Sequence, residues 1–321
     1  MNKMLFSRVL TLSLLLSAAA RAEVAYEFAP DFLTPPPGKQ TIGNGHGEIQ
    51  VDSKGNLYVS VQEEGAGVQV YGPDGKFIKA LPLPGSLHGF VVRKDDGGEF
   101  LFAAVLGQQK VIKTTLDGEI VMEIPTSAFP EGKAGQKGLK LTNCDVAPNG
   151  DIYVVDGYGQ SWIFVFDRAG KFKTVFGGPV EPLKLANAHK IFIDTRFEPA
   201  RVLVCDRGNN RMLHTDLAGN LIGVVAAEGL RRPSSASFHG DLMCVAEIAG
   251  RVSVWDKAGK LVADLGANDT QGQTNTPKVE PKDWRVGVVT SPHGITFDND
   301  GNILETEWNV FGRVLRWNVK K

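Results

Sequence analysis

The sequence Ser291-Pro-His-Gly-Ile-Thr-Phe-Asp-Asn-Asp-Gly-Asn302 contains a pattern that returns along the chain. It predicts a short strand, a tight Asp-Gly turn and a second strand beginning at Ile303. Within it, His293 stands five residues before Asp298. The same five-residue offset recurs twice, from His189 to Asp194 and from His88 to Arg93. The histidines therefore belong to a repeating unit.

Six such units follow one another, each roughly 40 to 50 residues long. They run over His46–Leu83, His88–Ile124, Leu141–Phe176, His189–Val225, Ser234–Leu265 and His293–Val319. Each contains short runs rich in Val, Ile, Phe and Tyr, separated by Asx-Gly and Ala-Gly turns that suit hairpins. The pattern predicts an all-β fold, a six-bladed β-propeller.

The sixth unit lacks a fourth strand before the chain ends at Lys321. The strand-like piece Glu23–Phe28 precedes the first unit and is predicted to supply that outer strand. This pairing would close the ring and remove two exposed sheet edges. The long polar segment Ala267–Arg285 is expected to be a surface loop, and it could form a lid over one face.

The first 22 residues have the features of a secretory signal peptide. These features are the basic residues Lys3 and Arg8, the apolar run Val9–Leu16 and the small-residue site Ala20-Arg21-Ala22. We expect residues 23–321 to form a single propeller domain that is exported, either to the periplasm or as a secreted protein. No later apolar run reaches membrane-spanning length, so no membrane span is expected.

Charge and cysteine content exclude several classes of function. Removing the signal segment takes the formal charge from −1 to −4, which gives no electrostatic footprint for nucleic acid. The three cysteines, Cys144, Cys205 and Cys244, lie in apolar runs and do not form a disulfide framework. We expect them to be buried packing residues.

The repeat places His88, His189 and His293 at one position in alternate blades. The first strand of each propeller blade lines the central channel, so these side chains would converge with approximate threefold symmetry. Three converging imidazoles suit a zinc site with an open fourth position. The alternative is that they bind water and neighbouring carbonyls. Small residues occupy the position in the other units, namely Gly47, Thr142 and, by our alignment, Ser235.

The remaining histidines have weaker positions. His46 lies six residues before Asp52, one residue out of phase with the group, although it could line the same face. His214, on an outer strand, and His239, at a turn, are expected to be solvated.

Tyr158 and Arg207 follow the second strands of adjacent units. A tyrosine beside a cation and a metal can have a lowered pKa and act as a base. Tyr158 could equally be a packed loop aromatic, and Arg207 could pair with a carboxylate such as Asp156.

The motif Asp206-Arg-Gly-Asn-Asn-Arg211 ahead of a strand resembles the NHL-repeat propellers. The order His, Asp-Gly-Tyr, His, Asp-Arg-x-x-x-Arg, Pro-His is similar to the peptidyl-hydroxyglycine amidating lyase unit of peptidylglycine α-amidating monooxygenase. That lyase cleaves a C-terminal α-hydroxyglycine to a peptide amide and glyoxylate. The resemblance implies that His88, His189 and His293 hold Zn²⁺. It also implies that Tyr158 is the base and that Arg207 contacts the substrate or the tyrosinate.

The chain departs from that family at several positions. Val61-Gln-Glu-Glu-Gly65 has no counterpart of a second active-site arginine, and Gly159 replaces a half-cystine. Ser291 and Gly294 replace a methionine and an aspartate around the last histidine. Since that aspartate helps to hold a structural Ca²⁺ in the family, Ca²⁺ is not expected here.

The sequence leaves two other classes of function open. One is a non-catalytic NHL-repeat propeller that binds a protein, glycan or small ligand on one face, with Val279–Arg285 and Trp284 as candidate contacts. The other is a lactonase-like propeller, which the histidines at the channel positions disfavour. The lyase interpretation implies a small-molecule substrate or a peptide C-terminus.

Overall fold

Six four-stranded antiparallel sheets follow one another along the chain in this computed structural model, which describes residues 24–132 and 138–320. The innermost strand of each sheet contacts the innermost strands of its two neighbours, and the last contacts the first. The sheets therefore form a closed ring, and the predicted six-bladed β-propeller is confirmed.

Five blades are built from consecutive strands. Blade 1 contains β2 (Ile49–Val51), β3 (Leu57–Ser60), β4 (Val68–Tyr71) and β5 (Phe77–Leu81). Blade 2 contains β6 (Leu87–Asp95), β7 (Gly98–Val105), β8 (Lys110–Thr115) and β9 (Ile120–Ile124). Blade 3 contains β10 (Asn143–Val146), β11 (Ile152–Val155), β12 (Trp162–Phe166) and β13 (Phe172–Gly177). Blade 4 contains β14 (Ala188–Asp194), β15 (Arg201–Asp206), β16 (Arg211–Thr215) and β17 (Leu221–Ala226). Blade 5 contains β18 (Pro233–His239), β19 (Leu242–Glu247), β20 (Arg251–Trp255) and β21 (Leu261–Leu265).

The sixth blade joins the two ends of the propeller. It contains β22 (Pro292–Phe297), β23 (Ile303–Glu307), β24 (Val314–Val319) and, as its outer strand, β1 (Tyr26–Ala29). In the ladder Phe28 pairs with Trp317, and their rings meet edge to face with centroids 5.8 Å apart. The predicted closure by the N-terminal strand is confirmed. The predicted signal segment lies outside the described residues.

The predicted Asp-Gly turn at Asp298–Gly301 between β22 and β23 forms. The Asp298 side chain accepts hydrogen bonds from the backbone amides of Asp300 and Asn302 at 3.0 and 2.9 Å. Gly301 completes the turn with a φ of +85°, in the left-handed region that glycine favours.

Both faces of most inner strands are buried, because each blade packs between two others. Cys144, Cys205 and Cys244 are buried and free, as predicted. The expectation that His214 is solvated was wrong. It lies buried on β16, and its Nε2 is 3.1 Å from Asp194. His239 is exposed, as expected.

The described part of the chain contains helices of only one turn, none long and apolar enough to cross a membrane. These 3-10 helices are Thr126–Ala128, Arg207–Asn209 and Pro281–Asp283. The last belongs to the long connection between β21 and β22, which carries the segment expected to be a surface loop. There Asn275 donates to the Ile248 carbonyl, and the Asn309 side chain donates to the Val279 carbonyl. These bonds fasten the connection to the loops of blades 5 and 6.

Candidate metal centre on the propeller axis

The three predicted histidines meet on the axis. The ring centroids of His88, His189 and His293 are 5.1, 4.9 and 4.7 Å apart in pairs. All three side chains are buried. We call these residues the axial histidines.

Each axial histidine sits at a β-bulge in the innermost strand of its blade. Strand pairing skips His88, His189 and His293 in turn, so their neighbours pair without them. A bulge re-aims the side chain of the extra residue, here toward the channel. Blade 5 has the same bulge at Ser234. The alignment that placed Ser235 at this position was therefore one residue late, because bulges are not visible in a sequence repeat.

A common hydrogen bond fixes the orientation of the three rings. Each Nδ1 lies against the main-chain carbonyl at the equivalent position of the next blade. The pairs are His88 with Thr142 at 2.7 Å, His189 with Ser234 at 2.7 Å, and His293 with Gly47 at 2.8 Å. A carbonyl only accepts, so each Nδ1 carries the proton and each Nε2 keeps its lone pair. This second contact is typical of metal-binding histidines.

Burial also keeps these imidazoles neutral. It lowers the pKa of His88, His189 and His293 well below the usual range, and nearby cations act in the same direction. Neutral imidazole is the form that binds a metal. In addition, the Nε2 of His293 is buried and has no hydrogen-bond partner among the described residues. A buried lone pair without a protein partner beside two others is an arrangement that fits a metal ion.

His46 is a fourth member of the cluster. The ligand nitrogens of His46, His88 and His293 lie within 4.8 Å of one another. Burial, followed by the charges of Lys190 and Arg207, lowers the pKa of His46 to about 4. The described residues thus contain a three-histidine cluster that could bind a metal ion, and His46 belongs to it along with two axial histidines.

The sequence spacing gave His46 little weight as a member of the cluster, because this residue lies one position before the axial position of its blade. The axial position in blade 1 is Gly47, where a Cβ would lie 1.7 Å from the Ser60 hydroxyl oxygen. The glycine leaves the ring position without a side chain, and His46 enters the same space from the preceding loop. The His-Gly pair was the available signal.

Tyr158 is brought to the cluster by the loop after β11. The Asp156 carboxylate accepts the backbone amides of Lys140 at 2.6 Å and Gln160 at 2.8 Å, which shapes that loop. The Tyr158 hydroxyl then lies 3.0 Å from the Nε2 of His189 and 3.2 Å from the Nε2 of His88. It is also 3.2 Å from the Nε2 of His46. Tyr158 is therefore a polar member of the centre.

The protein's own groups do not lower the pKa of Tyr158, in contrast to what was expected for a tyrosine beside a cation and a metal. Burial raises the pKa of Tyr158, and the neighbouring Arg207 lowers it by less. A bound cation would act in the same direction as Arg207.

Arg207 lies beside Tyr158 at the start of a 3-10 helix. Its guanidinium carbon is 5.4 Å from the centre of the Tyr158 ring, and its Nε donates to Asn187 at 2.8 Å. The Nη1 atom is buried and has no partner in the described ranges. The alternative partner Asp156 instead accepts backbone amides. Arg207 thus offers a free donor to an anion.

Trp308 and Gln62 lie next to His46. The ring centroid of Trp308 lies 5.6 Å from that of His46. Gln62 approaches the His46 Nδ1 at 3.1 Å, so blade 1 presents an amide where the sequence lacks an arginine. Trp284, the candidate contact of a binding face, is half-buried; its indole donates to the Val279 carbonyl, and Arg313 stacks on it.

Comparisons with known proteins give one partial sequence match and several matches of fold. No protein-family model matches the chain. Peptidyl-alpha-hydroxyglycine alpha-amidating lyase 2 of Drosophila melanogaster is 26% identical over 177 residues. That match covers 55% of this chain and 41% of the relative, so it spans less than half of the relative's length.

Solved structures support the fold. Virginiamycin B lyase from Staphylococcus aureus superposes with a TM-score of 0.57 at 16% identity, covering 93% of this chain and 88% of that one. A gluconolactonase from Xanthomonas campestris gives 0.61 at 12% identity, covering 87% of this chain and 89% of that one. At such identities the likeness concerns the fold alone. The chain is a six-bladed β-propeller that resembles the peptidyl-α-hydroxyglycine α-amidating lyases.

Proposed function

We propose that this protein is a zinc-dependent lyase that acts on α-hydroxyglycine at a peptide C-terminus. The observation that carries the proposal is the cluster of the axial histidines, with the Tyr158 hydroxyl 3.0 Å from the His189 Nε2 and 3.2 Å from the His88 Nε2. The sequence likeness to an amidating lyase supplies the reaction class. Three neutral nitrogens with their second nitrogens held by carbonyls suit Zn²⁺, which commonly takes three histidines and one exchangeable ligand in catalytic sites.

In the proposed reaction, the bond between the hydroxylated carbon and the amide nitrogen breaks. The hydroxyl loses its proton and becomes the aldehyde of glyoxylate, while the nitrogen gains a proton to give the peptide amide. A bound Zn²⁺ would supply Lewis-acid activation of the substrate hydroxyl. As the tyrosinate, which a bound cation would favour, Tyr158 would take the hydroxyl proton. Its oxygen lies 3.2 Å from the His46 Nε2.

Arg207 would bind the substrate carboxylate. Its unpartnered Nη1 is buried beside Tyr158, where a charged hydrogen bond is worth more than one at the surface. This contact would set the hydroxylated carbon next to the axial histidines. The half-buried Trp308 would pack against the preceding part of the peptide.

The test is direct. The purified protein should release glyoxylate and peptide amide in equal amounts from a peptide ending in α-hydroxyglycine, and a chelator should stop the reaction. Absence of both products from a protein that retains its metal would contradict the lyase assignment and leave a binding role for the same face.

We also propose that the chain is exported and cleaved near Glu23. N-terminal sequencing of the protein recovered from the periplasm or medium should begin at or near Glu23. An intact Met1 on functional, cell-retained protein would contradict this.

A further inference from the structure

A second polar layer lies directly beneath the axial histidines. It contains the residues that follow the axial positions, among them Glu48 in blade 1 and Lys190 in blade 4. Both side chains are completely buried, and the Lys190 ammonium lies 2.9 Å from a Glu48 oxygen. Ser235 of blade 5 donates to the same oxygen at 2.8 Å. Burying two charges in this way is unfavourable unless their hydrogen bonds are complete.

The hydrogen bonds of Lys190 are complete. Its ammonium donates to Glu48 at 2.9 Å, to the Gly47 carbonyl at 3.2 Å and to the His293 carbonyl at 3.1 Å. An ammonium has three protons, so each finds an acceptor. Two main-chain carbonyls and one carboxylate are the oxygen donors that proteins offer to a hard cation.

Two of these contacts act on His293. The Gly47 carbonyl that accepts from Lys190 also accepts from the His293 Nδ1 at 2.8 Å. The His293 carbonyl is itself a Lys190 acceptor. The second Glu48 oxygen accepts the backbone amide of Ile295, two residues further along β22, at 2.9 Å. The pair therefore holds the histidine at its ring, at its own carbonyl and in the strand that follows.

The pair also links blades across the channel. Lys190 directly follows His189, so it extends from blade 4 to Gly47 and Glu48 in blade 1 and to His293 in blade 6. Its neighbours in the layer leave little space, since a Cβ on Gly294 would lie 2.6 Å from a Glu48 oxygen. The layer is a fixed base under the candidate metal centre.

We propose that Lys190 and Glu48 are positioning residues for the axial histidines, with the Lys190 ammonium acting as a covalently tethered cation beneath them. By holding the Gly47 carbonyl in place, the pair maintains the Nδ1–H form of His293 and aims its Nε2 at the axis. This inference rests on the proposed metal centre for its consequence, but the positioning itself concerns only groups of this chain.

The test uses the double variant Lys190→Met with Glu48→Gln, which removes both charges and leaves no lone buried carboxylate. The zinc affinity of the metal-free protein, measured by competition with a chromophoric chelator, should fall about 10- to 100-fold. The control is Lys110→Met with Glu123→Gln, an ion pair on the outer strands of blade 2, which should leave the affinity unchanged.

A second readout needs no metal. In metal-free protein, ¹⁵N-correlated NMR of the imidazoles should show His293 wholly as the Nδ1–H tautomer, and the double variant should show a mixture of tautomers. If wild-type protein binds no zinc but the variant still shows this mixture, the positioning role stands and the zinc-lyase proposal fails. A folded double variant with an unchanged tautomer and unchanged zinc affinity would overturn the positioning role.

If the double variant does not fold, Ser235→Ala takes its place, because it removes one hydrogen bond to Glu48 and keeps both charges. It should show the same two effects at smaller size, and an unaltered His293 tautomer in that variant would overturn the proposal.

Discussion

The hydroxyl of Tyr158 lies 3.0 Å from the Nε2 of His189, although the two residues come from a surface loop of blade 3 and the inner strand of blade 4. The Nδ1 of that histidine is already bonded to the Ser234 carbonyl of blade 5. A chain of contacts therefore passes through three adjacent blades and ends at a phenol on the axis. This arrangement places the phenol hydroxyl among the ring nitrogens of the cluster, as the proposed role of base requires.

Replacing Tyr158 by Phe should lower kcat for an α-hydroxyglycine peptide by about 10²- to 10⁴-fold, the usual contribution of general base catalysis. The metal content should stay the same, since the axial histidines remain. The measurement is glyoxylate release, with metal analysis of the same sample. Tyr153→Phe is the matched control, because its hydroxyl bonds to the Leu217 carbonyl away from the axis. Full activity of the Tyr158 variant would reject its assignment as the base.

Replacing Arg207 by Met should raise KM about 10- to 100-fold, because a buried hydrogen bond to the substrate carboxylate is lost. A methyl ester of the substrate provides the comparison. Wild-type protein should discriminate strongly between the acid and the ester, and the variant should not. Equal discrimination by both proteins would show that Arg207 does not contact the carboxylate.

The buried carboxyl group of Glu305 should make the protein less stable at neutral pH than a variant with valine at this position. Its carboxyl group is buried without a hydrogen-bond partner in the described ranges, in a strand position that is Val59, Val154, Val204 and Val245 in four other blades. Burial, followed by the charge of Glu307, raises the pKa of Glu305 well above its ordinary value of 4.5. The folded chain thus keeps a proton that the unfolded chain loses once the pH exceeds about 4.5.

The free energy of unfolding should therefore fall as pH rises above about 4.5, until the folded-state pKa is reached. Glu305→Val should remove this loss and raise the free energy of unfolding at pH 7 by about 1–3 kcal/mol. The gain should shrink toward pH 4, where both states of the wild type are protonated. Denaturant titrations at several pH values measure it. An identical gain at pH 4 and pH 7, or a gain in the exposed control Glu119→Val, would contradict the pKa argument.

Removing residues 23–30 should lower Tm by about 5 °C or more, since β1 and the Phe28–Trp317 contact close the ring. The control is Ile78→Ala on an outer strand, where the side chain is already 54% exposed. A truncated protein with the same Tm as the wild type would show that closure by β1 contributes nothing to stability.

Repetition explains why so much of the fold was predictable. The equal offsets of His88, His189 and His293 locate the inner strands, and an unpaired sixth unit requires a strand from the other end of the chain. Both features follow from one repeat period. Because the ring is closed, residues at equivalent points of the repeat lie at equivalent places around the axis.

The unpredicted features are those that break the period or join distant positions. The bulge at Ser234 shifts the phase by one residue, and His46 reaches the axis from a loop because Gly47 has no side chain. Lys190 and Glu48 are 142 residues apart, and neither has a local motif. His214 was misjudged because the packing of blade on blade buries both faces of a strand whose pattern suggests an exposed face.

The most direct test of the metal centre is elemental analysis of protein purified without a chelator or a His tag, beside a His293→Ala variant. His293 belongs both to the axial histidines and to the cluster with His46, so its loss disturbs either ligand set. We expect about one Zn²⁺ per wild-type chain, lost in the variant and retained in the exposed control His239→Ala. Wild-type protein without a transition metal, or a His293→Ala variant with undiminished zinc, would contradict it.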